Sequence, residues 1–334
     1  MKAWPLDNPP DYMVCDLDTT NAVSFYPCAD ALPFPVTNDL YRTSQLVMRR
    51  IHAANMTWCM GSPSASLEKG CTSAENTTVS VPHLVTLSRD YYIGVFPVTQ
   101  RQYYFMTGAL NGGRALDKCY FPNNDANPVE QVSYFEIRGT TAADGSGYDW
   151  PQDGHAVAPG SALGKLRALT GITSFDLPTE AQWEYACRAG TCTGLNSGKD
   201  VKTASDSGQA CANLAEVGWY GNTYGNASAK THPVGLLKPN RWGLYDMHGN
   251  VWEACLDRYS DGTDYTSTFA SGWQSGEPTV DPEGPLAGTY FTCRGGNWFR
   301  APRYARSAYR FNQFLRDGQS KQFGFRLVCS ANLK

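Results

Sequence analysis

The sequence lacks the features that mark membrane proteins, disordered proteins and proteins covered by nucleic-acid-binding charge. No apolar run approaches the roughly 20 residues that a transmembrane helix needs, and the N-terminal stretch lacks the apolar core of a signal peptide. Charged residues form only 18% of the 334-residue chain, and the net charge is -3. We therefore expect a folded protein with a sizeable core and without a nucleic-acid-binding surface.

Common catalytic and metal-binding signatures are also absent. The five histidines show no metal-ligand spacing such as HExxH, and the chain has neither a P-loop nor a G-x-S-x-G motif. The eleven cysteines are scattered, and none of their spacings is that of a zinc site. Because their number is odd, at least one is unpaired within the chain. We expect most to be buried small hydrophobic side chains or members of a few disulfides.

Glycine, proline and large aromatic residues are abundant instead. The chain contains 32 Gly, 20 Pro, nine Trp and 19 Tyr, which indicates long ordered loops held by aromatic anchors. β-branched and aromatic residues predict strands over 46–51 and within 83–99. Capping residues and glycine stops predict short helices after Thr99, over 161–171 and within 177–190. This mixture predicts an α+β fold.

Several short phrases occur in the order found in one known family. They are MGSP, YYIGVFPVTQRQY, PVEQVSYFE, LPTEAQWEYACRAG, HPVGLLKPNRWGLYDMHGNVWEA, CRGGNWF, RSAYR and GFRLV. The series resembles the formylglycine-generating-enzyme, or sulfatase-modifying-factor, family. The resemblance implies a C-type-lectin-like α+β fold of that type, with short helices, short strands and long ordered loops. It divides the chain into an N-terminal extension packed on the domain, 1–45, and the domain itself, 46–334, with a variable region over 297–323.

The chain departs from the family's enzymes at their copper site. Those enzymes hold a copper ion with two cysteines near the C-terminus and use it to oxidise a cysteine of a sulfatase peptide. The first of these positions is Arg300 here, and the second falls near Tyr304 or Ala305. No cysteine lies between Cys293 and Cys329. Arginine cannot replace a thiolate as a ligand for copper(I), so we expect no copper and no catalytic residues.

The phrase DMHGNVWE suggests a calcium site, because it places two carboxylates across a glycine-containing turn. By position, the resemblance implies the side chains of Asp246 and Glu253 and the carbonyls of Gly249 and Val251 as ligands. The alternative is a structural turn that Glu253 merely caps. A weaker second calcium site would use Asn213 and the carbonyl of Leu214.

The segment 298–323 has an unusual composition. It carries seven aromatic and six basic residues, and Asp317 is its single acid. Tyr, Trp, Phe and Arg are enriched at protein-binding hot spots. The segment therefore favours a binding surface, although some of its aromatic residues would pack into the core on the alternative interpretation.

The segment also resembles the variable proteins of diversity-generating retroelements, which belong to the same family. In these proteins, rewritten codons alternate with a fixed frame, which here is Arg294, Gly295, Gly296, Trp298, Ala301, Ala305, Arg306, Ala308, Arg310 and the closing GFRLV. We expect buried carboxylates or carbonyls to hold the frame arginines. The resemblance implies ligand contacts by Phe299, Arg300, Pro302, Tyr304, Tyr309, Phe311, Asn312 and Phe314, and then by Arg303, Ser307, Gln319 and Gln322.

The sequence thus predicts a non-catalytic, calcium-containing protein that binds a protein or cell-surface ligand. The alternative is a formylglycine-generating-type oxidase with an altered or lost copper site. Interleaved basic and aromatic residues also occur in proteins that bind single-stranded nucleic acid, but the acidic remainder of the chain disfavours that partner. By the same family resemblance we expect an extracellular, cell-surface or phage-borne location. The oligomeric state is left open.

Overall fold

A computed structural model describes residues 9–62, 80–107, 119–122, 124–139, 148, 150–201, 210–259 and 277–332. Its largest sheet has five antiparallel strands, numbered here in chain order. In spatial order they are β12 (Val328–Ser330), β6 (Tyr91–Gly94), β3 (Gln45–Ile51), β1 (Tyr12–Asp16) and β2 (Val23–Tyr26). Met13 of β1 lies opposite Met48 of β3. The predicted boundary between residues 45 and 46 therefore falls inside one hydrogen-bonded sheet.

Two smaller sheets complete the β-structure of the described residues. One has the order β10 (Phe311–Leu315), β9 (Tyr290–Arg294), β7 (Trp252–Arg258) and β11 (Phe323–Phe325). The other has the order β4 (Met56–Met60), β5 (His83–Leu87) and β8 (Thr279–Val280). The frame phrase CRGGNWF begins in β9, and GFRLV runs from β11 into β12. The C-terminal segment thus returns twice to the core.

Five α-helices lie among these strands in the part of the chain that the structure describes: α1 (Gln100–Thr107), α2 (Tyr134–Arg138), α3 (Ala162–Thr170), α4 (Glu180–Arg188) and α5 (Ala212–Ala215). The three predicted helices are confirmed. The Thr179 hydroxyl accepts from the Gln182 N–H, and the Gln182 side chain accepts from the Thr179 N–H, which is the predicted capping box of α4. The short helices α2 and α5 were not predicted, because one turn of helix leaves no periodic pattern. No helix within the described ranges is long and apolar enough to span a membrane.

The cysteines of the described residues are all free thiols. Seven are buried, namely Cys15, Cys119, Cys187, Cys211, Cys255, Cys293 and Cys329. The expectation that most cysteines act as small hydrophobic side chains is confirmed for these seven. Cys28, Cys59 and Cys192 are exposed, and Cys71 lies outside the described residues.

Helix α4 carries a buried set of ion pairs that holds the C-terminal segment. Glu180 receives two hydrogen bonds from Arg310, at 2.8 Å to Oε1 and 2.6 Å to Oε2. One turn later, Glu184 pairs with Arg294 and, at 2.8 Å, with Arg188. All five side chains are buried. This arrangement confirms the expectation that buried carboxylates hold frame arginines. A carbonyl does the same for Arg306, whose Nε donates to the Arg303 oxygen at 2.9 Å.

We predict that Glu184→Gln lowers the free energy of unfolding by about 3–5 kcal/mol, because it removes the carboxylate that pairs with buried Arg188 and leaves buried Arg294 with the longer contact to Glu180. The two arginines hold the pKa of Glu184 below its ordinary value against the opposing effect of burial. The stabilisation is therefore complete at neutral pH and is lost as the pH falls through the folded pKa. Urea unfolding at two pH values measures both effects.

Glu216→Gln is the matched control, since Glu216 also pairs with two cations, Lys199 and Lys238, but at the surface. Its unfolding midpoint should match that of the parent protein. Equal losses in both variants would contradict a special role for the buried pairs.

Candidate functional site

The segment 297–310 leaves β9 and forms a loop that Asn297 organises. Its Oδ1 accepts hydrogen bonds from the N–H groups of Phe299 and Arg300, at 3.0 and 2.9 Å. Its Nδ2 donates to Gln322 Oε1 at 2.8 Å, which ties the start of this loop to the residue just before β11. Gly296, with φ 79°, approaches Ala305 so closely that a Cβ would lie 2.8 Å from the Ala305 Cα. Asn297 was not predicted as a structural residue, although asparagine commonly forms such side-chain turns.

The exposed and half-buried side chains among residues 299–322 are together called here the C-terminal face. Of the predicted ligand contacts, Phe299, Asn312 and Gln319 are exposed, and Phe299 exposes 38% of its area. The half-buried members are Arg300, Arg303, Tyr304, Tyr309 and Gln322. The face therefore contains eight of the twelve proposed contact residues.

The other four, Pro302, Ser307, Phe311 and Phe314, are buried, which removes their side chains from the surface available to a ligand. Phe311 stacks on Trp252 with ring centroids 4.6 Å apart. The pairing register of β10 shifts between Phe311 and Phe314, so both rings enter the core where simple alternation would have separated them.

Cation–aromatic contacts order the half-buried part of the face. The Arg300 guanidinium lies 5.5 Å from the Tyr304 ring centroid and 5.3 Å from that of Phe311. Arg303 lies 4.6 Å from the Tyr304 centroid, and its Nη2 donates to the Tyr304 hydroxyl at 2.7 Å. Tyr304 meets Tyr309 edge to face at 5.0 Å. These side chains form a connected, positively charged aromatic surface.

A cavity of about 410 Å³ lies beside this face. Its lining comprises Tyr120, Phe121, Pro122, Asn124, Asn127, Lys230, Thr231, His232 and Pro233. Phe121 packs edge to face on Trp298 at 5.3 Å, and Lys321 Nζ lies 3.9 Å above the Tyr120 ring, so the cavity adjoins the face. Asn127 Oδ1 is buried without a hydrogen-bond partner in the described structure. Sequence reasoning missed these residues, because they come from separate loops that are distant from the face along the chain.

The predicted calcium residues Asp246 and Glu253 lie on either side of a tight turn. Asp246, Gly249 and Asn250 all have positive φ, at 55°, 97° and 64°. Asp246 Oδ2 accepts from the Gly235 N–H at 2.7 Å, whereas its Oδ1 is buried without a partner among the described residues. Burial raises the pKa of Asp246 to about 6. One carboxylate oxygen is thus left without a donor.

Glu253 is already paired with a cation of the protein. Its Oε1 accepts from Arg326 Nη2 at 2.7 Å, and its Oε2 accepts from the Trp183 indole at 2.6 Å. At the weaker site, the Leu214 carbonyl accepts from the N–H groups of Val217 and Gly218. Asn213 Nδ2 donates to the Asp200 carbonyl at 2.8 Å. No group of three or more His, Cys, Asp or Glu side chains suited to a metal occurs in the described parts of the chain. Of the two predicted carboxylate ligands, only Asp246 has an oxygen without a hydrogen-bond partner among the described residues.

The positions of the enzymes' copper cysteines provide no thiol here. Arg300 lies over aromatic rings, and Ala305 is buried in the cluster that contains Cys211 and Tyr220. Cys187 Sγ lies 3.8 Å from His248 Nε2 in the core. Burial raises the pKa of Cys187 to about 12 and lowers that of His248 to about 4. Both side chains are fully buried in the core, so this structure gives the Cys187 thiol no solvent access.

Comparisons with solved structures support the predicted fold. Treponema denticola variable protein 1 aligns with a TM-score of 0.56 and 24% identity, covering 86% of this chain and 95% of that one. PvdO from Pseudomonas aeruginosa aligns with a TM-score of 0.56 and 21% identity, covering 85% and 94%. These likenesses concern the fold. With the family match below, they confirm the predicted α+β, C-type-lectin-like fold of formylglycine-generating-enzyme type.

Comparisons of sequence give the family. The chain is 35% identical to the formylglycine-generating enzyme of Streptomyces coelicolor over 165 residues, or 47% of each protein. It is 26% identical to the chaperone protein LppX of Paenibacillus barcinonensis over 270 residues, which cover 74% of this chain and 82% of that one. The chain spans about half the length, or less, of the formylglycine-generating enzymes it matches. Residues 57–331 match the sulfatase-modifying factor enzyme 1-like domain, and the chain therefore belongs to that family.

Proposed function

We propose that this protein is a non-catalytic binding protein whose C-terminal face contacts a protein or cell-surface ligand. The observation that carries the proposal is the face itself, in which aromatic and arginine side chains surround Tyr304 on a rigid base. Such side chains dominate the energetics of protein interfaces because they bury large areas and lose little conformational freedom. The buried ion pairs of α4 hold the base in place.

The cavity beside the face extends the proposed binding surface. Asn127 Oδ1 needs a donor, and Tyr120, 55% exposed, offers an aromatic surface at its edge. An oxygen that is buried without a partner costs stability, and a ligand N–H or O–H would relieve that cost. We infer that the ligand places a hydrogen-bond donor in this cavity while it covers the adjoining face.

The chemistry at the enzymes' copper positions supports a binding role. Copper(I) needs soft ligands, and Arg300 and Ala305 offer none. The alternative function is an oxidase with an altered centre, which the 35% identity to a formylglycine-generating enzyme favours. An altered centre would have to use thiols from another part of the chain.

We further infer that the face is diversified by rewriting of its codons, as in the variable proteins that the sequence resembles. On this basis the protein acts on a cell surface, on a phage particle or in the extracellular space. Side chains that point to solvent tolerate exchange, whereas the paired frame arginines do not. The proposal therefore limits useful variation to exposed positions.

In the first test, codons 294–328 are sequenced in many clones of one population, together with the DNA immediately downstream. We expect variation at Phe299, Arg300, Tyr304, Tyr309 and Asn312, with a near-copy template nearby. The codons for the paired arginines serve as the internal control and should be invariant. Uniform codons without a template would exclude diversification, and a fixed surface for a single partner would then be the better account.

The second test separates binding from catalysis. The protein is supplied with copper(I), oxygen and a peptide that carries a sulfatase cysteine motif, and the peptide is followed by mass spectrometry. We expect no aldehyde above the level without protein, since the thiolate pair is absent. The formylglycine-generating enzyme of Streptomyces coelicolor is the positive control. Oxygen-dependent conversion by this protein would establish the oxidase function and contradict the proposal.

We also propose that calcium stabilises the Asp246 turn. The unpartnered Oδ1 of Asp246 would be its charged ligand, and the carbonyls of Gly249 and Val251 would be the main-chain ligands implied by position. Because Glu253 is bound to Arg326, calcium would share that carboxylate. Bound calcium would add to the positive charge of Arg326 near Asp246, which does not by itself offset the effect of burial.

The calcium proposal predicts a pH-dependent stability. Burial raises the folded pKa of Asp246 from 3.8 to about 6. Between these pH values, the carboxyl group is protonated in the native state and ionised in the unfolded state. Stability should therefore fall by about 3 kcal/mol as the pH rises from about 4 to about 6 in chelator. Calcium should restore stability above that range, where Asp246 is ionised.

Both effects are measured as shifts of the thermal unfolding midpoint, with calcium or with chelator, at several pH values. Asp246→Asn should remove both the pH-dependent loss of stability and the response to calcium, because an amide neither titrates nor carries a negative charge. The turn should persist, since the amide oxygen can still accept from the Gly235 N–H. Asp39→Asn changes a largely exposed carboxylate and should leave both effects intact. A calcium response that survives in Asp246→Asn would place the ion elsewhere.

A further inference from the structure

Two of the exposed thiols line the same cavity. Cys59, in β4, and Cys192, just after α4, both line a cavity of about 260 Å³. The cavity wall includes Trp58 and Tyr185, whose ring centroids are 5.4 Å apart. The third exposed thiol, Cys28, is not part of this lining. The fold thus brings together two cysteines that are 133 positions apart in the sequence.

Arg188 fixes the distance between the two cysteine-bearing segments. Its Nη2 donates to the Gly61 carbonyl at 3.0 Å, two residues after Cys59. Its Nη1 donates to the Thr193 carbonyl at 3.3 Å, one residue after Cys192. Glu184 holds the same guanidinium through Nε at 2.8 Å. One planar group therefore ties both segments to α4, and the two thiols are held on neighbouring backbones.

The electrostatic environment agrees with this proximity. Partial burial of the Cys59 thiol in the cavity wall is the main cause of its raised pKa, and Cys192 raises this pKa further. An influence of one thiol on the other is expected only at short range. The seven buried cysteines are enclosed in the core, whereas this pair opens to solvent through the cavity.

We propose that Cys59 and Cys192 form a dithiol site that a small-molecule disulfide oxidises to an intramolecular disulfide. The thiolate of one cysteine attacks a sulfur of oxidised glutathione, forms a mixed disulfide and releases one glutathione. The second thiolate attacks the protein sulfur of the mixed disulfide and releases the other glutathione. Two protein thiols lose two electrons in total, and one oxidised glutathione becomes two reduced molecules.

Cys192 should make the first attack, since the raised pKa keeps more of Cys59 protonated. The product would join β4 to the end of α4, beside the ion pairs that hold the C-terminal segment. Closing such a long loop restricts the unfolded chain, so the thermal midpoint should rise by about 5 °C.

The experiment treats the whole protein with oxidised glutathione, blocks the remaining thiols and maps the peptides by mass spectrometry without reduction. We expect a cross-linked peptide pair that contains Cys59 and Cys192, with a loss of about 2 Da, reversed by dithiothreitol. Cys192→Ser should abolish both the cross-link and the rise in thermal midpoint. In Cys59→Ser, Cys192 should stop at the mixed disulfide with glutathione.

Cys28→Ser is the matched control, since Cys28 is also exposed but lies outside this cavity, and its variant should behave as the parent protein does. A cross-link from either thiol to Cys71 in place of the expected pair would overturn the proposal. So would glutathionylation of both cysteines without cross-linking, which would mean that the two sulfurs do not meet.

Discussion

The pairing of buried carboxylates on α4 with arginines of the C-terminal segment is the constraint on which the rest of the structure depends. Glu180 and Glu184, one turn apart, face the same side of a single capped helix. They fix Arg310 and Arg294, which bracket the loop that carries five of the eight contact residues of the C-terminal face. Since a buried ion without its partner is costly, the loop has one stable attachment at each end. Between these attachments, the side chains that reach solvent are free to differ in sequence, whereas the buried ones are not.

This division explains why the segment shows no period in its sequence. The paired arginines and Gly296 serve the fold, whereas neighbouring side chains such as Phe299 reach solvent. The half-buried Tyr304 ring is held in place, because the guanidinium groups of Arg300 and Arg303 pack over it. Side chains that are ordered before a partner arrives lose less rotamer freedom on binding. A surface of this kind favours affinity through preorganisation more than through area.

The sequence predicted the fold well, because the family phrases and the helix caps are local signals. The capping box at Thr179 alone locates the start of α4. Burial within the C-terminal segment was predicted less well. Phe311 and Phe314 were predicted to contact the ligand, but the register shift in β10 turns both side chains toward the core. No local sequence pattern marks such a shift. The cavity beside the face was missed for a related reason, since distant loops assemble it and each contributes only a few ordinary residues.

The inclusion of β1 in the main sheet has a consequence for how the domain can be handled. β1 lies between β2 and β3, and its Met13 and Cys15 are fully buried. A chain shortened to begin at residue 46 would leave one side of β3 without its hydrogen-bonding neighbour. Exposed strand edges with apolar side chains pair readily with other chains. The shortened domain would be prone to self-association through β3, so fusions and display formats should keep the N-terminal strands.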